Sequence, residues 1–406
     1  MKGVINIMKI ISAKGTYENI GFELGYKLAD EIHHNLSILN NDIINKGLGK
    51  KKVDLYKKLY VDILSTSSRK MMEGISRGSG IPYDSILCYN ALREVLYSEE
   101  CTTFAAIGKA TSNGKPVLLK NRDKPGNLDY CGMNYHKYRE VNVVNVLKTD
   151  NGNTIVGVTA AGSMGIMMGL NKYGVAVASN AGGITEVSNM TSKELYGISG
   201  RPQMLREGLE CKSAREAVNL VLQKLTKSPM GSPGMLFFLD AKDIYVIEGS
   251  WLSNQFAVQH ITDGAISRSN HFELLEQLNN QKYISAYCRK IRAQELVEHN
   301  LGRINTEVLK EFSMDHENGP FENSICRHSK KPEGPVTVSA AIMEIDSENP
   351  HKSTINIALG SPCWAWSKKE GNITFRMDQD IKTIPKSFFD GSAYKEHIRN
   401  DARYSK

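Results

Sequence analysis

Long apolar runs are missing from this chain, and none approaches the ~18 residues that a membrane-spanning helix needs. A disulfide scaffold is missing too: seven cysteines at irregular spacing in 406 residues form no framework. Their odd number points to thiols kept in a reducing cytoplasm. There is no HExxH, no paired CxxC and no Walker loop, so neither zinc nor a nucleoside triphosphate has support in the sequence, and no cofactor is expected. "GISRGSGIP" and "AAGSMG" match neither a nucleophile elbow nor a dinucleotide fingerprint. A large excess of either charge is missing as well. The net charge of +7 tolerates anionic ligands without demanding nucleic acid. The basic stretch "NKGLGKKKVDLYKKL" reads as the solvated face of a helix and lacks the aromatic interleaving on which single strands stack.

What remains is a globular composition, 41% hydrophobic and 23% charged, with a large core to bury. The apolar run near the N-terminus lacks the length of a secretion signal and reads as a strand. In "TYENIGFELGYKLADEIHHNLSIL", Ile20, Leu24, Leu28, Ile32 and Leu36 recur at every fourth position and predict one amphipathic helical stripe. Helical periodicity continues to about residue 100, interrupted at "RGSGIP". Short strands follow, with Asn151-Gly152 and Lys172-Tyr173-Gly174 as turns. Ser213 and Glu216 form a capping box before "AREAVNLVLQKL". After two further strand pairs, "AYCRKIRAQELVEHN" and "NTEVLKEFSMDH" read as helices, and the end of the chain is β-rich. Blocks of helices and strands, without strict alternation, predict an α+β architecture.

At Cys101 the period changes from helical to extended. "SEECTTFAAIGKATSNGKPVLLKNRD" reads as a hairpin with Asn113-Gly114 at its turn and Asp123 near the end of the return strand. Core cysteines usually sit among apolar neighbours, but Cys101 follows Glu100 and precedes Thr102 and Thr103. The hairpin is expected to bring a thiol and a carboxylate together at one end of a sheet. If the chain cuts its own Glu100–Cys101 bond, one residue then carries both a thiol and an α-amine. An amine titrating near ~8 is partly neutral at physiological pH and takes the thiol proton, so no catalytic histidine is needed. A buried structural thiol is the competing reading of Cys101, and Asp123 also suits the start of a turn before Pro125.

The fragments "GTYENIGFELGYKLADEI", "ECTTFAA", "KNRD", "GLNKYGVAVASNAGG", "SRSNHF", "DHENGPFENSICRH" and "IALGSPC" occur in this order. Together they resemble the acyl-coenzyme A:6-aminopenicillanate acyltransferase family, within the cysteine N-terminal-nucleophile hydrolase superfamily. The resemblance implies a four-layer αββα sandwich made from one self-cutting precursor. Residues 1–100 would be a mainly helical segment released by the cut. Residues 101–406 would carry the nucleophile and the sheet core, and the whole would remain one fold. It further implies Cys101 as nucleophile, Asp123 as the group that holds the thiol and amine, and Asn270 as oxyanion donor, with Asn180 as a second donor. Asn180 also suits a turn, and Asn270 a helix cap near His271.

The implied partners are a small-molecule acyl donor, acyl-coenzyme A among the candidates, and an amine acceptor or water. Nucleic acid and membrane are not among them, and self-association is left open. Where penicillin-acylating members place an arginine before the strand "VTVSAAIMEI", this chain has Lys330 and Lys331. Lysine cannot copy a bidentate guanidinium. Arg122 stands where the family more often has an apolar residue, and alternation is expected to turn it away from the thiol. A plain amide hydrolase of the penicillin V acylase or bile-salt hydrolase type is the near alternative, and a catalytically silent binding relative the distant one.

Overall fold

The structure is a computed structural model describing residues 8–96, 100–125, 140–182, 200–228, 233–250, 255–279, 283–319, 321–328, 334–368 and 371–379. The chain opens with β1 (Lys9–Gly15) and then forms α1 (Tyr17–Lys27), α2 (Ala29–Asn45), α3 (Lys50–Ile63), α4 (Thr66–Ser79) and α5 (Tyr83–Leu96). The long apolar stripe is real: Ile20, Leu24, Leu28, Ile32 and Leu36 are all buried. It runs through two helices, because Leu28 leaves helical geometry at φ −123°, ψ 20°. The predicted interruption at "RGSGIP" is narrower than expected. Gly78 lies inside α4, and only Gly80, in the left-handed region at φ +72°, ends it. Gly74 and Gly78 let α4 press on α1, since a Cβ at either would lie 2.1 Å from the carbonyl oxygen of Glu18 or Phe22 respectively.

Two sheets follow. The first has eight strands in the order β1-β4-β5-β6-β7-β8-β9-β10. These comprise β4 (Asn142–Thr149), β5 (Thr154–Ala160), β6 (Met168–Asn171), β7 (Ala176–Ala181), β8 (Gly234–Leu239), β9 (Ile244–Ser250) and β10 (Gln255–Ile261) beside β1. All its pairings are antiparallel except that of β1 with β4. The second sheet has six strands, ordered β11-β2-β3-β12-β13-β14. Its members are β2 (Glu100–Ile107), β3 (Val117–Pro125), β11 (Gly264–Arg268), β12 (Pro335–Glu344), β13 (Thr354–Ala358) and β14 (Asn372–Arg376). Between β7 and β8 of the first sheet lie α6 (Arg201–Gly208) and α7 (Ala214–Leu225). The Ser213 hydroxyl accepts from Glu216 N at 3.2 Å, as the capping box requires. Later come α8 (Ile284–Asn300), α9 (Thr306–Ser313) and the one-turn α10 (Pro362–Ala365).

Side-chain alternation sorts the strands into three cores. Leu236 and Phe238 of β8 face the layer of α1–α7, while Met235, Phe237 and Leu239 face the second sheet. Ala105 and Ile107 of β2 face the first sheet, and Phe104 and Ala106 face α8 and α9. Strands buried on both faces read as unbroken apolar runs, which is why "GMLFFL" shows no polar alternation. The result is the expected α+β, four-layer αββα sandwich. The turn expected at Asn113-Gly114 is part of a longer connection. β2 and β3 are joined through a 3-10 turn at Gly108–Ala110, and Gly114, at φ +73°, is one bend within it.

Candidate active site

The hairpin register decides which side chains meet. Cys101 pairs with Arg122, Thr103 with Lys120, and Glu100 with Asp123. Cross-strand partners share a face, so Cys101, Thr103, Lys120 and Arg122 face the first sheet. Glu100, Thr102, Asn121 and Asp123 face the α8–α9 layer. This corrects two expectations. Arg122 lies on the thiol's side of the sheet, and Asp123 leaves the opposite side. Alternation along the paired strands, with Cys101 opposite Arg122, sets both faces, and the long 108–116 connection brings Arg122 to the place opposite Cys101. On the thiol face, Arg122 donates to Asn142 Oδ1 and lies 3.9 Å from Glu140. Burial would raise Glu140, but Arg93, Lys124 and Arg122 outweigh it and hold the carboxyl at about 2. Lys120, wholly buried, donates to Met167 O at 3.3 Å.

The backbone of Cys101 is gripped at both ends. Its N–H donates to Asn270 Oδ1 at 3.1 Å, and its carbonyl accepts from Arg289 Nη1 at 2.8 Å. The same guanidinium donates to Thr102 Oγ1 at 3.0 Å and to Asn270 Oδ1 at 2.7 Å. Asn270 in turn donates from Nδ2 to Ala181 O at 2.9 Å. No helix starts at His271: the chain bends there, and the next element is a 3-10 turn at Glu276–Leu278, so Asn270 is not a helix cap. Asn180 belongs to β7 and is not a turn residue. Its Oδ1 accepts from Thr103 Oγ1 at 2.6 Å, and its Nδ2 donates to the carbonyls of Arg268 and Ser269 at 2.9 and 3.0 Å. It therefore braces the segment that presents Asn270.

On the other face, Asp123 and Glu100 meet two buried arginines. Arg327 pairs with Glu100 and lies 3.5 Å from Asp123 Oδ2. Arg289 lies 3.8 Å from Glu100 and 4.0 Å from Asp123. Strand β12 bulges between Thr337 and Ser339, opposite Asp123 and Arg122. An extra residue at a bulge re-aims its neighbours, and Thr337 Oγ1 donates to Asp123 Oδ1 at 2.7 Å. Among the described residues, Asp123 Oδ2 is buried without a hydrogen-bond donor. Burial raises the Asp123 carboxyl to about 6 against the pull of Arg289, the Thr337 hydroxyl and Lys120. Burial lowers the Arg327 guanidinium to about 9, which leaves it charged at neutral pH.

Sequence reasoning missed both arginines. Arg289 sits in "AYCRKIRAQELVEHN", where charge reads as a solvated face. The signal was its place among Ser285, Ala286 and Ala293, the small residues that form the buried face of α8. Arg327 lies in "SICRH", upstream of Lys330 and Lys331, which fall outside the described residues. Flanking Arg327 in the chain, Cys326 and His328 join His316 and Cys363 in a group whose ligand atoms lie within 4.8 Å of one another. No spacing motif announces them. Among the described residues no disulfide forms, and no helix is long and apolar enough to cross a membrane.

The geometry can do three things. It fixes the backbone nitrogen of Cys101, sets amide groups near it, and surrounds the Glu100–Cys101 linkage with compensated charge. Comparison with solved structures returns an N-acylethanolamine-hydrolyzing acid amidase orthologue from Caenorhabditis elegans, with 17% identity over 60% of this chain and 92% of that one, and a TM-score of 0.39. A conjugated bile acid hydrolase from Clostridium perfringens gives 11% identity over 69% and 93%, with a TM-score of 0.37. Penicillin V acylase from Agrobacterium tumefaciens gives 13% over 64% and 83%, with a TM-score of 0.35. At such low TM-scores the layers above, not these likenesses, establish the architecture. No curated protein sequence matches. The family model for acyl-coenzyme A:6-aminopenicillanic acid acyl-transferase matches residues 110–364, a span that holds Asp123, Asn180, Asn270, Arg289 and Arg327 and begins after Cys101. That match covers more than half of the sequence, and the chain belongs to this acyltransferase family.

Proposed function

We propose that this chain is a self-processing N-terminal-nucleophile enzyme with Cys101 as its nucleophile. The observation that carries the reading is the double grip on the Cys101 backbone by Asn270 and Arg289. A residue held at both nitrogen and carbonyl keeps its place when the bond before it is broken. Cys101 is wholly buried in the intact chain, so a substrate reaches the thiol only after the structure around it opens. In the processing step, Sγ attacks the Glu100 carbonyl and the Cys101 nitrogen leaves with a proton. Water then hydrolyses the resulting thioester, freeing the Glu100 carboxylate and the thiol. Residues 1–100 and 101–406 become two pieces of one fold.

In the catalytic cycle, the new amine takes the thiol proton and the thiolate attacks the carbonyl of an acyl amide or acyl thioester. The tetrahedral oxyanion gains most from donors already in place. Asn270 is the first candidate, and Asn180 the second on exchange of one of its carbonyl partners. The leaving group takes the proton from the ammonium. Water or an amine then resolves the acyl-enzyme, and this last choice separates a hydrolase from a transferase. A reducing, cytoplasmic setting keeps the thiol available.

Edman sequencing and denaturing electrophoresis of the purified protein test the reading. A fragment starting Cys-Thr-Thr is expected, with Cys101→Ala running as one band. Cleavage of the Ala variant at the same bond would show that the thiol does not cut the chain. An uncut wild-type chain would favour a silent binding relative.

A further inference from the structure

We propose that His316, Cys326, His328 and Cys363 bind one zinc ion, and that this ion fixes the segment presenting Arg327. The site stands apart from the acyl chemistry and does not depend on it.

The geometry carries the assignment. His328 Nε2 lies 3.1 Å from His316 Nε2, 3.5 Å from Cys326 Sγ and 3.4 Å from Cys363 Sγ. All four ligand atoms fall within 4.8 Å of one another. A tetrahedral ion with Zn–S of about 2.3 Å and Zn–N of about 2.05 Å sets ligand edges of about 3.3–3.8 Å. The three separations from His328 Nε2, 3.1, 3.4 and 3.5 Å, cluster about the short end of that frame. Hydrogen bonding accounts for them poorly. One imidazole nitrogen offers a single lone pair or a single N–H, along one direction, yet His328 Nε2 faces three ligand atoms. A common centre explains that convergence.

The donor set selects the ion. Two thiolates and two imidazoles at tetrahedral spacing suit zinc and leave no open position, which is the pattern of a structural site. Both thiols must lose their protons on binding, so two protons pass to solvent for each ion bound. Two thiolates then cancel the divalent charge, and the interior holds a neutral group. Cys326 and His328 are buried, and His316 and Cys363 are half-buried, as expected of a closed site with one approach.

The fold gives the ion a task. His316, Cys326 and His328 lie on the irregular segment after α9, and Cys363 lies on α10. The ion would tie that segment to α10, next to the strand carrying the bulge. The same segment meets the nucleophile's hairpin: Asn121 Nδ2 donates to Ile325 O at 3.1 Å, and Arg327 N donates to Thr337 Oγ1 at 2.8 Å. Arg327 stands between two ligands, so its approach to Glu100 and Asp123 depends on them. Only one residue separates Cys326 from His328, and the other ligands are distant in sequence, so no familiar zinc spacing appears.

Metal analysis of the unmutated protein, purified without affinity metals, tests this directly. About one zinc per chain is expected, in cut and uncut protein alike. Cobalt(II) loaded after chelator treatment should give strong visible d–d bands and a near-ultraviolet thiolate-to-cobalt band. Cys363→Ser and His316→Ala should each weaken retention against a competing chelator by about 10-fold or more, while Cys211→Ser should not. Absence of zinc together with weak, octahedral cobalt spectra overturns the proposal. A Cys326–Cys363 disulfide in protein purified without reductant, found by mass analysis with no metal bound, overturns it too.

Discussion

Asn270 Oδ1 lies 3.1 Å from the backbone nitrogen of Cys101 and accepts its hydrogen. Orientation follows from that bond: with Oδ1 turned to Cys101 and to Arg289, Nδ2 is the end that donates. Asn270→Ala should lower turnover of any accepted acyl amide by ~10²–10³, with KM within a few-fold. Asn270→Asp is the sharper probe, because its second oxygen replaces the donor and repels an oxyanion. Steady-state kinetics on the processed enzyme checks both. Near-normal turnover by the Asp variant would remove Asn270 from the reaction.

Arg289 reaches the Cys101 carbonyl and the Asn270 amide with two different nitrogens. Lysine offers one point charge in place of that fork. Arg289→Lys should fold yet process slowly, and a time course of the two bands on a denaturing gel would show it. Arg289→Met should be destabilised by about 1–3 kcal/mol or more, because the buried Cys101 carbonyl and Asn270 Oδ1 each lose a charged donor. A Lys variant that processes at the normal rate would reduce Arg289 to charge compensation.

Asp123 makes stability depend on pH in a defined direction. Burial raises its folded-state pKa to about 6, above an ordinary value near 3.9. The folded chain therefore binds this proton more tightly than the unfolded chain. The associated stability is fully present below about pH 4 and is lost as pH rises through about 6, by roughly 3 kcal/mol. Glu140, held at about 2, acts in the opposite sense and at lower pH. Urea denaturation of the uncut Cys101→Ala protein between pH 4 and 7 should show this window against the same protein with Asp123→Asn. Parallel pH profiles for the two proteins would rule out titration of Asp123 there.

Gly74→Ala tests the α1–α4 seam. The added Cβ would lie 2.1 Å from Glu18 O, a backbone atom that cannot swing aside. Better helix propensity gains up to ~1 kcal/mol, but overpacking of this kind typically costs ~1–3 kcal/mol or more. A net loss of stability in urea is expected. A variant as stable as the parent would mean that the helices separate at little cost.

Local patterns in the sequence account for much of the fold. The stripe Ile20–Leu36, the change of period at Cys101 and the Ser213 cap each depend on residues within a few positions of one another. So does the sorting of "GMLFFL" into a strand. The site drew on the hairpin, "GVAVASN" and "SRSNHF", which the family resemblance brought together before any geometry was known. What stayed hidden depended on long-range register and burial. The partner of Cys101, Arg122, is set by pairing across a long connection, and strand alternation alone cannot supply that. A buried arginine on a helix, such as Arg289, looks like a solvated one until its neighbours are known. His316 and Cys363 meet only after two sheet strands, β12 and β13, have been laid between them.

Strand β1 has a thermodynamic consequence for a cut chain. It lies parallel to β4 from the Lys9–Val143 pair to the Gly15–Thr149 pair, so residues before Cys101 supply an edge of the main sheet as well as five helices. Once the peptide bond is gone, unfolding releases two molecules in place of one. Its equilibrium then carries a concentration term, and the melting temperature of the processed protein should rise with protein concentration, while that of the uncut Ala variant should not. Dilution would become a denaturant for the mature form, and the precursor would be the only form able to fold by a first-order process.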